Sequence, residues 1–70
     1  MTDPRIRRSR LPELMKARGL TQVEFAHLVG ISESHVSKII SLESKFSIIK
    51  GKRAADVLRI HIDELYEWEY

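Results

Sequence analysis

Residues 20–39, LTQVEFAHLVGISESHVSKI, contain two short helical patterns separated by only three residues. Thr21 and Glu24 have the capping-box spacing that begins a helix, and an apolar run follows them. Gly30 is the kind of residue at which such a helix ends, because glycine adopts the left-handed conformation of a helix stop without strain. Ser32 is suited to cap a second helix immediately afterwards. This stretch therefore predicts two consecutive helices with a tight connection.

The second of these helices, predicted over residues 33–41, has one apolar and one polar face. Val36, Ile39 and Ile40 recur at helical spacing and are expected to face a core. Two amphipathic helices joined by a tight turn that contains glycine are typical of a helix-turn-helix.

Three further helical segments flank this unit, so the predicted fold is all-α with five short helices. The first spans about residues 10–18, with Pro12 in its first turn and Gly19 at its end. Another spans about residues 48–58, with Gly51 inside it, and a last short helix follows near the C-terminus. No strand pattern competes, since β-branched residues never alternate over a useful length.

Length and composition limit the classes of protein that this chain can represent. Seventy residues make at most one small domain, so a multi-domain enzyme is excluded. The absence of cysteine excludes disulfides, thiol catalysis and cysteine-ligated zinc. No apolar run reaches the length of a membrane span, and the N-terminal arginines precede no signal-peptide pattern. We expect a cytoplasmic protein.

Charge is unevenly distributed although the net charge is only +2. Residues 1–20 have six basic groups against two acids, and residues 41–60 have five against two. Residues 61–70 have four acids and no Lys or Arg. The pattern predicts one positive face and one acidic end, and nucleic acid is the commonest partner of a positive face. A solvated basic arm is the simpler explanation.

Composition divides the chain into three parts. Residues 1–9 are expected to form a flexible basic arm, residues 10–66 the folded domain, and residues 67–70 an aromatic and acidic extension. Three arginines of the arm are candidates for contacts in the minor groove of DNA, or for a disordered tail that attracts phosphate in general. These are Arg5, Arg7 and Arg8.

At residues 20–39 the sequence resembles the Cro/CI-type, or XRE-like, helix-turn-helix family. The matching positions include Thr21-Gln22, Phe25-Ala26, Val29-Gly30 and Val36-Ser37. Residues 54–66, AADVLRIHIDELY, are similar to the closing segment of that family. The resemblance covers about residues 10–66, matches poorly over 41–53, and implies a lambda-repressor-like DNA-binding domain.

The resemblance implies that the second helix of the motif enters the major groove. The base contacts that it implies are Glu33, Ser34, Ser37 and Lys38. Lysine can donate to guanine and glutamate can accept from cytosine, while serine suits several bases. Contacts with the DNA backbone are expected from Arg10, Gln22, His35 and Ser41.

Three positions depart from the pattern of the family. Glu33 stands where Gln or Arg is frequent, and its carboxylate repels phosphate. Ile40 replaces a frequent Glu that pairs with the arginine of the first helix, so the role of Arg10 is open. Arg59 stands where glycine is usual before the last turn.

The C-terminal aromatic residues suggest an interface. Tyr66, Trp68 and Tyr70 cannot all face one way on a single helix, so at least one aromatic face is expected to be exposed. We expect these residues to form a two-fold contact between two copies of the chain. The alternative is that Trp68 closes the core of the monomer over the first helix.

The sequence predicts a sequence-specific regulator of transcription that binds double-stranded DNA as a homodimer. A phage-like or mobile-element repressor or a controller protein is favoured, and an antitoxin that also binds a protein through its C-terminus is the alternative. A fold without DNA activity is a third interpretation. His27, His35 and His61 lack the spacing of metal ligands, and no catalytic triad or phosphate loop is recognisable. We therefore expect no metal, no cofactor and no enzyme activity.

Overall fold

A computed structural model describes residues 3–70. Met1 and Thr2, which belong to the predicted arm, lie outside the described residues. The described chain contains four α-helices, one short 3₁₀ helix and one antiparallel pair of strands. In chain order these are β1 (Arg5–Ser9), α1 (Leu11–Ala17), α2 (Gln22–Val29), α3 (Glu33–Ile40), α4 (Ile48–Leu58), the 3₁₀ helix (Ile62–Leu65) and β2 (Tyr66–Glu69).

One apolar core lies between the helices, because each helix buries the face that its apolar spacing defines. Phe25 of α2 is fully buried, and its ring meets that of Phe46 edge-on with the centroids 6.5 Å apart. The other members come from all four helices and from the C-terminal segment. The buried apolar residues are Leu11, Met15, Phe25, Ala26, Val29, Val36, Ile39, Ala54, Ala55, Leu58, Leu65 and Tyr66.

The two strands correct the prediction of an all-α fold with five helices. β1 pairs antiparallel with β2, so that Arg5 faces Glu69 and Ser9 faces Tyr66, with an irregularity between Ile6 and Arg8. The expectation of a flexible arm over residues 1–9 therefore does not describe Arg5–Ser9. Sequence periodicity does not predict this pair, because its two strands lie at opposite ends of the chain and each needs the other as its hydrogen-bonding partner.

Opposite charges reinforce the strand pair. Arg5 forms an ion pair with Glu69 at 3.5 Å, and Arg7 forms one with Glu67 at the same distance. Arg8 contacts both Glu67 and Glu13, and the hydrogen bond to Glu13 together with the charge of Glu67 raises the pKa of Arg8. Exposed ion pairs are individually weak, so this network mainly favours the observed pairing over other registers.

Tyr66 and Trp68 lie on β2 and not on the predicted last helix, and Tyr70 follows the strand. Tyr66 is buried, and its hydroxyl accepts a hydrogen bond from the Phe46 backbone at 3.2 Å; burial raises its pKa. The indole of Trp68 donates to the Asp63 carbonyl at 2.7 Å. Because alternate strand residues share a face, the rings of Tyr66 and Trp68 meet edge-on, with centroids 6.1 Å apart. Trp68 therefore packs on β2 and the 3₁₀ helix, whereas Tyr70 is exposed.

Gly51 is expected to be replaceable by alanine with a gain in stability. Glycine inside a helix costs about 0.5–1 kcal/mol relative to alanine. A Cβ at this position would lie 3.2 Å from Ile62 Cδ1, which is the end of a flexible side chain beside an open groove. We expect Gly51→Ala to stabilise the domain by about 0.5 kcal/mol in urea unfolding. A urea midpoint below that of the parent would show that the Ile62 side chain cannot move aside for the added methyl group.

Candidate nucleic-acid interface

The turn between α2 and α3 is fixed by three local interactions. Gly30 adopts a left-handed conformation with φ of 82°, and its N–H donates to the Ala26 carbonyl at 2.8 Å. The N–H of Ile31 donates to the same carbonyl at 3.0 Å. The Ser32 hydroxyl then accepts from the His35 N–H at 3.0 Å, which caps α3. The direction of α3 relative to α2 therefore follows from local sequence, as the caps predict.

The start of α2 is held by a reciprocal capping box. The Glu24 N–H donates to the Thr21 hydroxyl at 3.1 Å, and the Thr21 N–H donates to the Glu24 carboxylate at 3.0 Å. The backbone hydrogen bond from Thr21 lowers the pKa of Glu24. Since the folded-state pKa lies below the unfolded value, this contribution to stability is present above the unfolded pKa and is lost as the pH falls through the folded pKa.

The four predicted base contacts share the exposed face of α3. Val36 and Ile39 are fully buried and turn the opposite face of the helix to the core. Within residues 3–70, neither Glu33 nor Lys38 forms an ion pair. Their charged groups therefore remain available to a partner, and the four exposed residues are Glu33, Ser34, Ser37 and Lys38.

The residues predicted to contact the DNA backbone have different surroundings. Gln22 is half-buried at the first position of α2. Arg10 donates to the Glu64 carbonyl at 3.3 Å and lies 3.8 Å from the Glu13 carboxylate. Arg10 thus connects the start of α1 with the 3₁₀ helix.

His35 and Ser41 contact the segment that follows α3. The Nε2 atom of His35 lies 3.3 Å from the Ser44 hydroxyl. The Ser41 hydroxyl donates to the Lys38 carbonyl at 3.1 Å and lies 3.2 Å from a Glu43 oxygen. Both side chains therefore help to shape the end of the predicted recognition helix.

Two basic residues of α4 reach the turn, although the sequence did not single them out. Arg53 Nε donates to the Leu28 carbonyl at 3.1 Å. The Lys50 ammonium lies beside Gly30, since a Cβ added to this glycine would be 3.1 Å from the Lys50 Nζ atom. Both cations lie at the C-terminal end of α2, where the helix dipole favours positive charge. The excess of basic groups over residues 41–60 was the only signal of their presence.

Residues 3–70 contain no group of three or more His, Asp or Glu side chains that could hold a metal ion. Among the same residues, no helix is long and apolar enough to cross a membrane.

A model of the helix-turn-helix family matches residues 13–65. The chain belongs to the XRE-like helix-turn-helix family. A similar solved structure is that of the restriction-modification controller protein C.AhdI from Aeromonas hydrophila. It is 34% identical, with a TM-score of 0.72 and coverage of 80% of this chain and 85% of that one. No curated protein matches the sequence.

Membership of this helix-turn-helix family makes the chain a DNA-binding regulator of transcription, and double-stranded DNA is its partner. The family is one of DNA-binding regulators rather than enzymes. The resemblance drawn from residues 20–39 is confirmed, and so is the helix-turn-helix at the centre of the fold. The strand pair lies outside that motif.

Proposed function

We propose that the protein is a sequence-specific regulator that binds operator DNA as a dimer and inserts α3 into the major groove. The observation that supports this most is the contrast between the two faces of α3. One face is buried in the core, and the other presents four polar residues to solvent. The two charged residues among them, Glu33 and Lys38, have no ion-pair partner among residues 3–70. An exposed polar face of this kind is what base readout requires.

The side chains of α3 suggest a division of roles. Lys38 donates to the O6 and N7 acceptors of guanine, and Glu33 accepts from the N4 amino group of cytosine. Ser34 and Ser37 contact hydrogen-bond donors or acceptors on the base edges, because a hydroxyl can both donate and accept. Gln22, with the first N–H groups of α2, contacts a phosphate beside the groove.

The strand pair changes the proposed role of the N-terminal arginines. Arg5, Arg7 and Arg8 already contact carboxylates of β2 or α1, so a phosphate must compete with these contacts. We therefore assign them to the sheet first, and any contact with DNA is secondary and sensitive to salt.

The similar controller protein favours one biological setting. By analogy, we propose that this chain controls the promoter of a neighbouring gene, in the manner of a controller protein or a phage-like repressor. Footprinting on the DNA upstream of its own gene tests this and supplies the operator for measurements of affinity.

Lys38→Ala is expected to weaken binding to that operator by about 1–3 kcal/mol, or about 5- to 150-fold, because alanine cannot donate a hydrogen bond to the base. Binding to unrelated DNA should change much less. The matched control is Lys16→Ala, which removes the same charge from the exposed surface of α1. Fluorescence anisotropy with both DNAs provides the measurement. Equal decreases in affinity for both DNAs would make Lys38 a phosphate contact and contradict its role in readout.

A further inference from the structure

The exposed face of β1 has three arginines, each of which contacts a carboxylate of the same chain. The side chains of Arg5, Arg7 and Arg8 are all more than half exposed, so their guanidinium groups can be reached from solvent. The carboxylates that contact them are Glu13 of α1 and Glu67 and Glu69 of β2. Three positive and three negative groups therefore lie together, and their formal charges cancel. We call these six residues the β1–β2 ion cluster.

Strand pairing places the carboxylates of β2 beside the arginines. Glu69 lies opposite Arg5 in the register, and their charged groups are 3.5 Å apart. Glu67 lies opposite Arg8 and contacts both Arg8 and Arg7, the latter at 3.5 Å. Because the backbone fixes this register, both carboxylates stay beside the arginines as long as the sheet is formed.

The β1–β2 ion cluster lies beside the surface that is proposed to meet DNA. β1 contacts α3, whose exposed face is the proposed reading surface. Arg8 and Arg10 contact the same Glu13 carboxylate, at 2.8 Å and 3.8 Å, and Arg10 is a predicted contact with the DNA backbone. Two guanidinium groups that share one carboxylate are within about 10 Å of each other, which is the Debye length at about 0.1 M salt. A phosphate at Arg10 would therefore lie within the electrostatic range of Arg8.

Arginines at such a position bind phosphate unless another anion holds them. The N–H groups of a guanidinium form paired hydrogen bonds with carboxylates and with phosphates alike. Each phosphate that a protein neutralises releases counterions, which steepens the plot of log affinity against log salt concentration by about 0.9. This contribution does not depend on base sequence. Three free arginines would therefore increase the affinity of the protein for any DNA.

We infer that Glu67 and Glu69 withhold the arginines of β1 from DNA phosphates and thereby lower the affinity of the protein for DNA of any sequence. Both glutamates occupy N–H groups that a phosphate would use, so a phosphate gains only the difference between two ion pairs. A displaced carboxylate adds a further cost, because its unpaired negative charge then faces the DNA backbone. The inference goes beyond the proposed function, since it concerns the DNA backbone and leaves the choice of bases to α3.

The alternative is that both glutamates only stabilise the sheet. In that case their neutralisation lowers the melting temperature and leaves the affinity for DNA unchanged. Withholding of the arginines predicts the opposite pattern, with tighter binding at nearly unchanged stability, because exposed ion pairs contribute little to folding. Thermal unfolding and DNA affinity, measured on the same variants, therefore separate the two roles.

Glu67→Gln and Glu69→Gln, combined in one variant of the full chain, test the inference. Glutamine keeps the length of the side chain and removes only its charge. Fluorescence anisotropy with an unrelated duplex, over a series of salt concentrations, is the measurement. We expect at least about threefold tighter binding than the parent at about 0.1 M salt, because three exposed ion pairs are removed. The salt dependence should be steeper by about 0.9 for each arginine that gains a phosphate.

A double-mutant cycle shows whether the gain in affinity comes from these arginines or from net charge. The same two substitutions are made in a background in which Arg5, Arg7 and Arg8 are replaced by glutamine. The change in net charge is identical there, but no arginine of β1 remains to be released, so we expect a change in affinity of less than about twofold. Glu69→Gln alone, which releases only Arg5, is the milder variant if the combined one unfolds. It should bind the unrelated duplex about 1.4- to 5-fold more tightly than the parent.

Three results would overturn the inference: an affinity and a salt dependence no greater than those of the parent, an equal gain in both backgrounds, or no binding of the unrelated duplex by parent and variant even at low salt. The proposed function fails in a different way. If the combined variant bound unrelated DNA more tightly, but neither it nor the parent selected a preferred sequence from randomised DNA, the β1–β2 ion cluster would keep its role and base readout by α3 would be contradicted.

Discussion

Removing residues 1–8 is expected to destabilise the whole domain by on the order of 3 kcal/mol. The deletion takes away nearly all of β1, so β2 loses its partner and its ladder hydrogen bonds, each of which contributes about 1 kcal/mol. It also removes half-buried Ile6, which packs against the core. A 70-residue domain has only about 4–10 kcal/mol of stability, so the decrease is a large fraction. In calorimetry the melting temperature should fall by about 12–24 °C.

The control for this deletion keeps the strand and removes only charge. Arg5→Gln removes one exposed ion pair with Glu69 and leaves the backbone pairing intact, so we expect stability within about 0.5 kcal/mol of the parent. If the deletion were as stable as Arg5→Gln, residues 5–9 would behave as the flexible arm that the sequence suggested.

The same deletion also tests whether the N-terminal arginines neutralise phosphate. The plot of log affinity against log salt concentration should have a slope flatter than that of the parent by about 0.9 for each phosphate that the deleted residues no longer neutralise.

Phe25→Ala is expected to have a comparable or larger effect, because Phe25 joins the helix-turn-helix to the rest of the core. Its side chain is fully buried in α2, and its ring packs against Phe46 in the connection before α4. Truncating a buried phenylalanine costs about 3–5 kcal/mol through reduced apolar burial and the cavity that remains. We expect a largely unfolded protein at physiological temperature and no binding of DNA. Circular dichroism during thermal unfolding is the measurement.

Val23→Ala is the matched control in the same helix. Val23 is 59% exposed, so its truncation should change stability by less than about 0.5 kcal/mol. If Phe25→Ala had the same melting temperature as Val23→Ala, the core would not be organised around α2 as described.

Local sequence was sufficient to predict the centre of this fold. The cap at Thr21, the stop at Gly30 and the cap at Ser32 each act over three or four residues, and the structure has all three. The stop at Gly19 is also confirmed, because this residue has a left-handed φ of 66°. These features could be predicted because the residues that make each hydrogen bond are close neighbours in the chain.

The sheet could not be predicted in this way. YEWE does alternate aromatic and acidic residues, a short strand signal that a search for alternating β-branched residues passes over, whereas RIRRS has a single apolar residue and no alternation. Each is stabilised by the other end of the chain, and by ion pairs such as Arg8 with Glu67, which no local pattern records. The same limitation explains the last helix, where the acids after His61 begin only a single 3₁₀ turn before β2.

The candidate site shows a similar contrast. The exposed face of α3 follows directly from the spacing of Val36 and Ile39, so its four polar residues were identifiable. Lys50 and Arg53 were not, because their approach to the turn depends on how α4 packs against α2. Arg59, which the sequence comparison did single out, adopts the left-handed conformation at the end of α4 with φ of 57°.

Selection of binding sites from a pool of randomised duplex DNA tests the central claim most directly. The full chain is used beside Lys38→Ala, with sequencing of the bound DNA after each round. We predict enrichment of an inverted repeat whose half-sites lie about 10 base pairs apart, centre to centre, and relaxed preference at one position of each half-site for the variant. Recovery of unrelated sequences by the parent, at every salt concentration that permits binding, would contradict sequence-specific recognition through α3.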